Sequence, residues 1–277
     1  MDEAGRRQRF FEEVRAEQPN LALLCLLVGA EADPEFGTPE MAACMDELDR
    51  LAEAVVQHRV PEDPHDWAEA LADVLGEGYG FHGLQSDYRR LDSSLLQHVL
   101  RRRRGLPILL SVVWMEVGRR LDAPVYGVAL PGHFVVGIGD PDGSHVLADP
   151  FRGGQPLTVE DTELLVTGAA GTALAPSMLE PAEPLDIIAR ILNNIRAWAA
   201  ARPEHTGVQL WAVDLSLLLP RHPARLRFER AQLLVQRGKF IDGAVEMEEY
   251  AQVVEELDPA AAETVRRRAR AARAMLN

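Results

Sequence analysis

The segment 101–151, RRRRGLPILLSVVWMEVGRRLDAPVYGVALPGHFVVGIGDPDGSHVLADPF, most constrains what this chain can fold into. The arginines end a predicted helix, SSLLQHVLRRRR, for which Gly105 is the expected C-cap. Pro107 then opens a second helix that is nearly all apolar until Glu116, so we expect it to be buried at the centre of a domain. Three short runs rich in β-branched residues follow, divided by LPG and DPDGS, which predicts strands joined by tight turns.

Two polar residues mark the ends of these predicted strands. His133 lies at the entrance to the second strand, and Asp149 lies at the exit of the third. Antiparallel pairing across the DPDGS turn brings such positions close together, and a carboxylate beside a histidine can orient it as a catalytic base. In the alternative interpretation, His133 is a strand-edge histidine and Asp149 caps the turn DPF, since such pairs also arise by chance.

The remainder of the chain is predicted to be helical. Within residues 1–75, Met41, Leu48 and their neighbours recur at helical spacing. Residues 167–184 are small, apolar and interrupted by proline, which indicates a loop between two halves. We therefore expect one domain over 1–166, a helical segment plus a core, and a helical module over 185–277.

Residues 224–259 resemble a tetratricopeptide repeat. Ala231 and Ala244 occupy positions where the repeat has small residues, and Gly238 with Phe240 resembles its turn. At most two units fit, whereas a free-standing solenoid usually needs three or more. We expect the module to pack on the first domain, either as a plain helical cap or as a peptide-binding groove.

Composition and charge narrow the classes of partner. A net charge of −14 argues against nucleic-acid binding, because a polyanion would be repelled. The arginines of 101–104 are expected to offset a helix dipole instead. The apolar run Leu21–Val28 is too short to span a membrane, and the charged N-terminus does not resemble a signal peptide. We expect a cytoplasmic protein with no membrane or nucleic-acid partner, no metal and no cofactor.

Residues 80–158 resemble the transglutaminase-like domain of the bacterial SirB-type family. The matching sequence segments are GFHG (80–83), DYRRLDSSLLQHVLRRRRGLPILLSVVWMEVGRRL (87–121), LPGHF (130–134) and DPFRGG (149–154). The resemblance implies an α+β fold. Its parts are a transglutaminase-like (papain-like) core, an N-terminal helical segment and a C-terminal α-helical tetratricopeptide-like module. It also implies that His133 occupies the position of the base and Asp149 that of its orienting acid.

The nucleophile of a cysteine hydrolase is missing from this layout. Such a site holds a thiolate at a helix N-terminus, where this chain has Leu106, Pro107 and Ile108. The resemblance implies that members generally lack the cysteine and that many have Ser or Thr two residues after the proline. This chain has Leu109 there, and Asp92 stands where the family often has Asn.

Other nucleophiles are not expected to replace it. Ser111 lies one turn into the helix, so we expect its hydroxyl to hydrogen bond within that helix. Cys25 and Cys44 lie on apolar or amphipathic helices, where a free cysteine usually behaves as a small buried hydrophobe. Cysteine catalysis is therefore not expected.

Three functions remain open from the sequence. The first hypothesis is a non-catalytic protein, a pseudoenzyme, that binds a protein or peptide through its cleft, its helical module or both. In the second, the protein is a hydrolase of an amide or ester, in which His133 activates a water and Asp149 fixes its tautomer. The third is a purely structural protein with no cleft, which a tail that covers the site would support.

Overall fold

The computed structural model describes residues 2–58 and 61–275. Within them the chain forms twelve α-helices and a four-stranded sheet. The helices are α1 (Glu3–Glu13), α2 (Leu21–Ala32), α3 (Thr38–His58), α4 (Pro64–Leu71), α5 (Leu96–Arg102), α6 (Pro107–Arg120), α7 (Val159–Ala170), α8 (Pro184–Ala200), α9 (Thr206–Leu218), α10 (Arg225–Gln236), α11 (Phe240–Glu255) and α12 (Pro259–Ala274). The strands are β1 (Val125–Val128), β2 (Val135–Gly139), β3 (His145–Asp149) and β4 (Gln155–Leu157).

The chain forms two compact units. Unit 1 comprises the residues up to Arg6 together with Glu17–Ile191, and unit 2 comprises Arg7–Ala16 together with the residues from Leu192 onward. The outer bounds of the predicted domains, residues 1 and 277, lie outside the described residues. Helices α1 and α8 each contribute residues to both units.

Helix α6 lies at the centre of unit 1, as its apolar sequence predicts. It packs against α2, α3, α5 and the strands β1 and β2. Leu110, Val113 and Trp114 on this helix are fully buried. The prediction that Pro107 opens this helix and that the helix is buried is confirmed.

The sheet is antiparallel in the order β1-β2-β3-β4. Strands β2 and β3 form a hairpin across the DPDGS turn, with Gly139 opposite His145. The three predicted strands are confirmed, although β1 and β2 are shorter than their apolar runs. Strand β4 was not predicted, because it is only three residues long and contains Pro156; it pairs with β3 through Asp149 and Gln155.

Two boundary predictions are wrong. Helix α5 ends at Arg102, and Arg103 rather than Gly105 is its left-handed C-cap, with φ of 59°. Gly105 is needed for packing instead, since a Cβ there would lie 2.6 Å from Cγ2 of Val99. Helix α7 extends to Ala170 and so occupies the start of the predicted loop. Its capping box between Thr158 and Asp161 was the sequence signal for this helix.

Unit 2 is built from helices that pack on their neighbours in sequence. Helix α10 packs against α9 and α11, and α11 packs against α12. Ala231 and Ala244 are fully buried between them. Gly238 has φ of 79° in the turn before α11, and a Cβ at Gly243 would lie 2.7 Å from the carbonyl oxygen of Ala231. The small residues therefore allow α10 and α11 to approach closely.

None of the helices within the described part of the chain combines the length and the apolar character required to cross a lipid bilayer.

Candidate functional site

The β2–β3 hairpin places His133 beside Asp149. His133 precedes β2 in a turn in which its amide donates to the carbonyl of Leu130, and Asp149 ends β3. The Nε2 atom of His133 lies 3.1 Å from Oδ2 of Asp149. Asp149 is fully buried, whereas the side chain of His133 keeps 12% of its surface exposed. The two residues are thus in contact, as the predicted pairing requires.

The carboxylate of Asp149 makes three contacts, the longest of them 3.7 Å from its Oδ2 to Nε of Arg152. Its Oδ1 accepts a 2.9 Å hydrogen bond from the amide of Phe151, and its Oδ2 faces His133. The carboxylate therefore caps the DPF turn and also orients the imidazole. Since a carboxylate only accepts, the neutral ring donates from Nε2, which leaves Nδ1 with the lone pair that can accept a proton.

Arg190, from α8, holds the turn that carries His133. Its Nη2 donates to the carbonyl oxygens of Leu130 at 2.5 Å and of His133 at 2.8 Å. Its guanidinium lies 5.7 Å from the ring centroid of Phe134, and burial lowers the pKa of Arg190. No sequence signal marks this contact, because Arg190 is 57 residues from His133 and belongs to no motif.

Three rings form a row at the site, which we call the aromatic row: Tyr88, Phe151 and His133. The centroids of Tyr88 and Phe151 lie 6.0 Å apart, as do those of Phe151 and His133. Tyr88 is 42% exposed. Burial raises the pKa of Tyr88, and the negative charge of Asp149 raises it further. Sequence reasoning did not single out Tyr88 or Phe151.

Gly83 positions the middle ring of this row. Its amide donates to the carbonyl of Phe151 at 2.9 Å. A Cβ at Gly83 would overlap the Phe151 ring. Gly83 of the segment GFHG therefore serves the close approach of the backbone to the Phe151 ring rather than any chemistry.

A buried ionic cluster anchors the segment that carries Tyr88. Asp87 is fully buried and accepts hydrogen bonds from Arg102 at 3.2 Å and Arg104 at 3.1 Å. The amide of Leu84 and the hydroxyl of Ser93 also donate hydrogen bonds to this carboxylate. The arginine run, expected only to offset a helix dipole, therefore also binds a buried carboxylate.

The start of α6, where a thiolate would lie in a cysteine hydrolase, is apolar and buried. Leu106, Ile108 and Leu109 are 7%, 2% and 1% exposed. Ser111 is fully buried, and its Oγ lies 3.4 Å from the carbonyl oxygen of Phe134. The expectation that Ser111 bonds within its own helix is wrong, because the residue that precedes β2, Phe134, brings its carbonyl within reach.

Both thiols are held in their protonated form. Cys25 is buried, and burial together with the charge of Glu116 raises its pKa far above the ordinary value. Burial and the charge of Glu47 raise the pKa of Cys44 to about 11. Neither is a thiolate nucleophile at neutral pH. Among the described residues, no group of three or more His, Cys, Asp or Glu side chains is placed to hold a metal ion.

Comparison with known proteins points to one family. The profile described as the transglutaminase-like superfamily matches residues 42–193. The chain is 35% identical over 181 residues to the UPF0162 protein of Xylella fastidiosa (strain 9a5c), covering 62% of this chain and 63% of that protein. It is 32% identical over 199 residues to UPF0162 protein PA3419 of Pseudomonas aeruginosa, covering 72% of each. It is 28% identical over 183 residues to UPF0162 protein YchA of Escherichia coli (strain K12), covering 64% of this chain and 67% of that protein.

Proposed function

We propose that this chain, which belongs to the transglutaminase-like superfamily, is a non-catalytic member that binds a protein or peptide partner. The observation that carries the proposal is the start of α6. Leu106, Ile108 and Leu109 are buried there and offer no atom that can attack a carbonyl. A histidine and a carboxylate without a nucleophile cannot form an acyl-enzyme.

The aromatic row provides such a protein with a surface that can bind a peptide. Tyr88 is exposed at one end of the row, and Leu84, four residues earlier, is 45% exposed. Tyrosine is among the residue types that most often dominate the binding energy of an interface. The Asp87 cluster and Gly83 hold this surface in place. A preorganised surface loses less entropy on binding.

The helices of unit 2 offer a second surface. In this proposal the chain is of the SirB type and unit 2 is tetratricopeptide-like. The buried small residues Ala231 and Ala244 and the tight turn at Gly238 support the tetratricopeptide-like part. On α11, Ile241 and Val253 are 50% and 53% exposed. Repeat scaffolds use such faces to bind peptides.

Selection from a random peptide library displayed on phage tests the proposal. Peptides selected on the wild type are measured against Tyr88→Ala, Ile241→Ala and a control, Leu164→Ala, whose side chain is 72% exposed on α7. We expect affinity to fall about tenfold in Tyr88→Ala or in Ile241→Ala and to be unchanged in the control. Peptides that bind all four proteins equally, or no selected peptides, would contradict the proposal.

The hydrolase remains the second candidate because one observation favours it. His133 donates from Nε2 to Asp149, which leaves Nδ1 as a potential base for a water. Panels of amides and esters, with thermal melts, separate the two using His133→Ala and Asp149→Asn. Turnover that disappears in both variants while the melting temperature holds would establish the hydrolase. Absence of turnover in the wild type, with stability lost in the variants, would leave the pair with a structural role.

A further inference from the structure

The segment that carries Tyr88 presents both apolar and positively charged side chains to solvent. Leu84 and Tyr88 are 45% and 42% exposed. Arg89 follows Tyr88 directly and is exposed as well. In the part of the chain that the structure describes, no carboxylate forms an ion pair with Arg89. We call the surface formed by Leu84, Tyr88, Arg89 and Arg104 the arginine patch.

Arg104 brings a second guanidinium group to this patch. Its Nη2 donates to Oγ of Ser86 at 3.3 Å and to Oδ2 of Asp87 at 3.1 Å, which fixes it beside the segment between Leu84 and Tyr88. The side chain of Arg104 keeps 30% of its surface exposed. Within the described residues its Nη1 has no hydrogen-bond partner, so this nitrogen is available to an acceptor on a ligand.

The carboxylate that holds Arg104 does not cancel the positive charge of the patch. Asp87 is fully buried and pairs with Arg102 as well as with Arg104. Two guanidinium groups on one carboxylate leave one positive charge in excess, and Arg89 adds another. Because the carboxylate is buried and the arginines are partly exposed, a ligand meets positive charge beside the apolar side chains.

The neighbouring charges do not reverse this sign. Arg90 and Asp92 form an exposed pair that is neutral as a whole. Burial and the charge of Asp149 raise the pKa of Tyr88. Arg152 lies 3.7 Å from that carboxylate and offsets its charge.

The net charge of the whole chain is −14 and would by itself favour a basic partner. However, exposed charges more than about 8 Å apart are largely screened at physiological ionic strength. A peptide that contacts Tyr88 therefore responds to the arginine patch more than to the distant carboxylates of the chain.

We propose that the peptide bound at Tyr88 is acidic. It places an apolar side chain on Leu84 and Tyr88, and aspartate or glutamate residues beside that side chain pair with Arg89 and Arg104. Carboxylates pair with guanidinium groups through two parallel hydrogen bonds, which also fix the orientation of the peptide. This inference rests on the peptide-binding function proposed above and names the class of peptide that the Tyr88 surface binds.

Three peptide libraries displayed on phage test the inference with the full chain. Each library has four random positions, flanked on both sides by two glutamates, two glutamines or two lysines. Every selected core is then synthesised with all three kinds of flank. Only cores whose affinity falls in Tyr88→Ala are counted, because lysine flanks are also attracted to acidic surfaces elsewhere on the chain.

At physiological salt we expect glutamate flanks to give about tenfold tighter binding than lysine flanks and about threefold tighter binding than glutamine flanks. At about 1 M salt, where screening is strong, the three affinities should agree within about twofold.

Arg89→Gln identifies the charge that the flanks contact. We expect it to weaken the glutamate-flanked peptide about two- to fivefold and to leave the glutamine-flanked form of the same core unchanged. A general loss of structure would weaken both forms equally. Arg89→Glu should make glutamate flanks the weakest of the three. The control, Arg221→Gln, changes an exposed arginine of unit 2 and should leave all affinities unchanged.

The outcomes separate this inference from the function on which it rests. If no selected core depends on Tyr88, peptide binding at this surface is contradicted and the inference with it. If cores depend on Tyr88 but bind equally with all three flanks, or best with lysine, peptide binding stands and the acidic peptide alone is overturned. An equal loss for both flanks in Arg89→Gln would also overturn it.

Discussion

The Nε2 atom of His133 lies 3.1 Å from the Oδ2 atom of Asp149, at the open end of the β2–β3 hairpin. The other oxygen of the same carboxylate accepts the amide of Phe151, whose ring lies against His133. One buried carboxylate thus fixes both the histidine and its aromatic neighbour. The stability of the turn and the geometry of the site are therefore coupled.

Replacing Asp149 by alanine should destabilise the protein by about 1–3 kcal/mol, because two buried donors lose their acceptor. The donors are Nε2 of His133 and the amide of Phe151. Urea unfolding measures the change. The matched control is Asp142→Ala in the exposed DPDGS turn, which should change stability by no more than about 0.5 kcal/mol. Equal effects of the two substitutions would mean that the buried carboxylate does not hold the turn.

Arg190→Met should loosen the turn that carries His133. Methionine keeps an apolar stem but donates no hydrogen bond to the carbonyls of Leu130 and His133. We expect a loss of about 1–3 kcal/mol and faster hydrogen exchange at the His133 amide, measured by NMR. Arg267→Met, at an exposed arginine of α12, is the control and should change neither quantity. Unchanged exchange at His133 would show that Arg190 does not position the turn.

Gly83→Ala should displace the ring of Phe151, because the added methyl group would overlap it. We expect a destabilisation of about 1–3 kcal/mol, as for other overpacked sites. The NMR signals of the His133 ring should shift, since that ring lies 6.0 Å from the ring of Phe151. Gly168→Ala is the control. It lies exposed on α7 with open space around it, and alanine there should stabilise the helix by about 0.5–1 kcal/mol.

The parts of the fold that were predictable depend on local patterns. The apolar run after Pro107 predicted the buried helix, and the DPDGS turn predicted the hairpin that joins His133 to Asp149. Contacts between distant segments were not predictable. Arg190 carries no local signal for its contact with the turn, and the arginine run does not reveal its partner Asp87.

Asp87 should make stability depend on pH in the acidic range. Burial alone would raise its pKa, but hydrogen bonds from the Leu84 amide, Arg104 and Ser93 outweigh it and hold the pKa below 3.8. The folded state therefore binds fewer protons than the unfolded state near this value. The stability that Asp87 contributes is present above about pH 4 and is lost as the pH falls through the folded pKa.

Unfolding of Asp87→Asn at neutral and acidic pH measures this contribution. We expect the variant to be less stable than the wild type at about pH 7 and the difference to shrink toward about pH 3. The control is Asp92→Asn, whose carboxylate is 38% exposed and pairs with Arg90. Its stability should follow that of the wild type across the range. A constant difference between Asp87→Asn and the wild type at both pH values would contradict the assignment.

The two cysteines should react slowly with iodoacetamide in the folded protein. Burial raises the pKa of Cys44 to about 11, so about one thiol in a thousand is ionised near pH 8. Cys25 is buried, unlike the partly buried Cys44, and should remain unlabelled. Labelling followed by mass spectrometry gives the rate at each residue, and Cys25→Ala isolates Cys44.

The same protein unfolded in guanidinium is the reference for both thiols. There they should label rapidly, because unfolding removes the burial and the nearby carboxylates that oppose ionisation. The native rate at Cys44 should still rise as the pH is raised from 7 to about 10, since a thiol with this pKa has not finished titrating. A native rate that levels off near neutral pH would instead reveal a stabilised thiolate. Such a thiolate would restore cysteine chemistry as a function of this chain, at a position outside the start of α6.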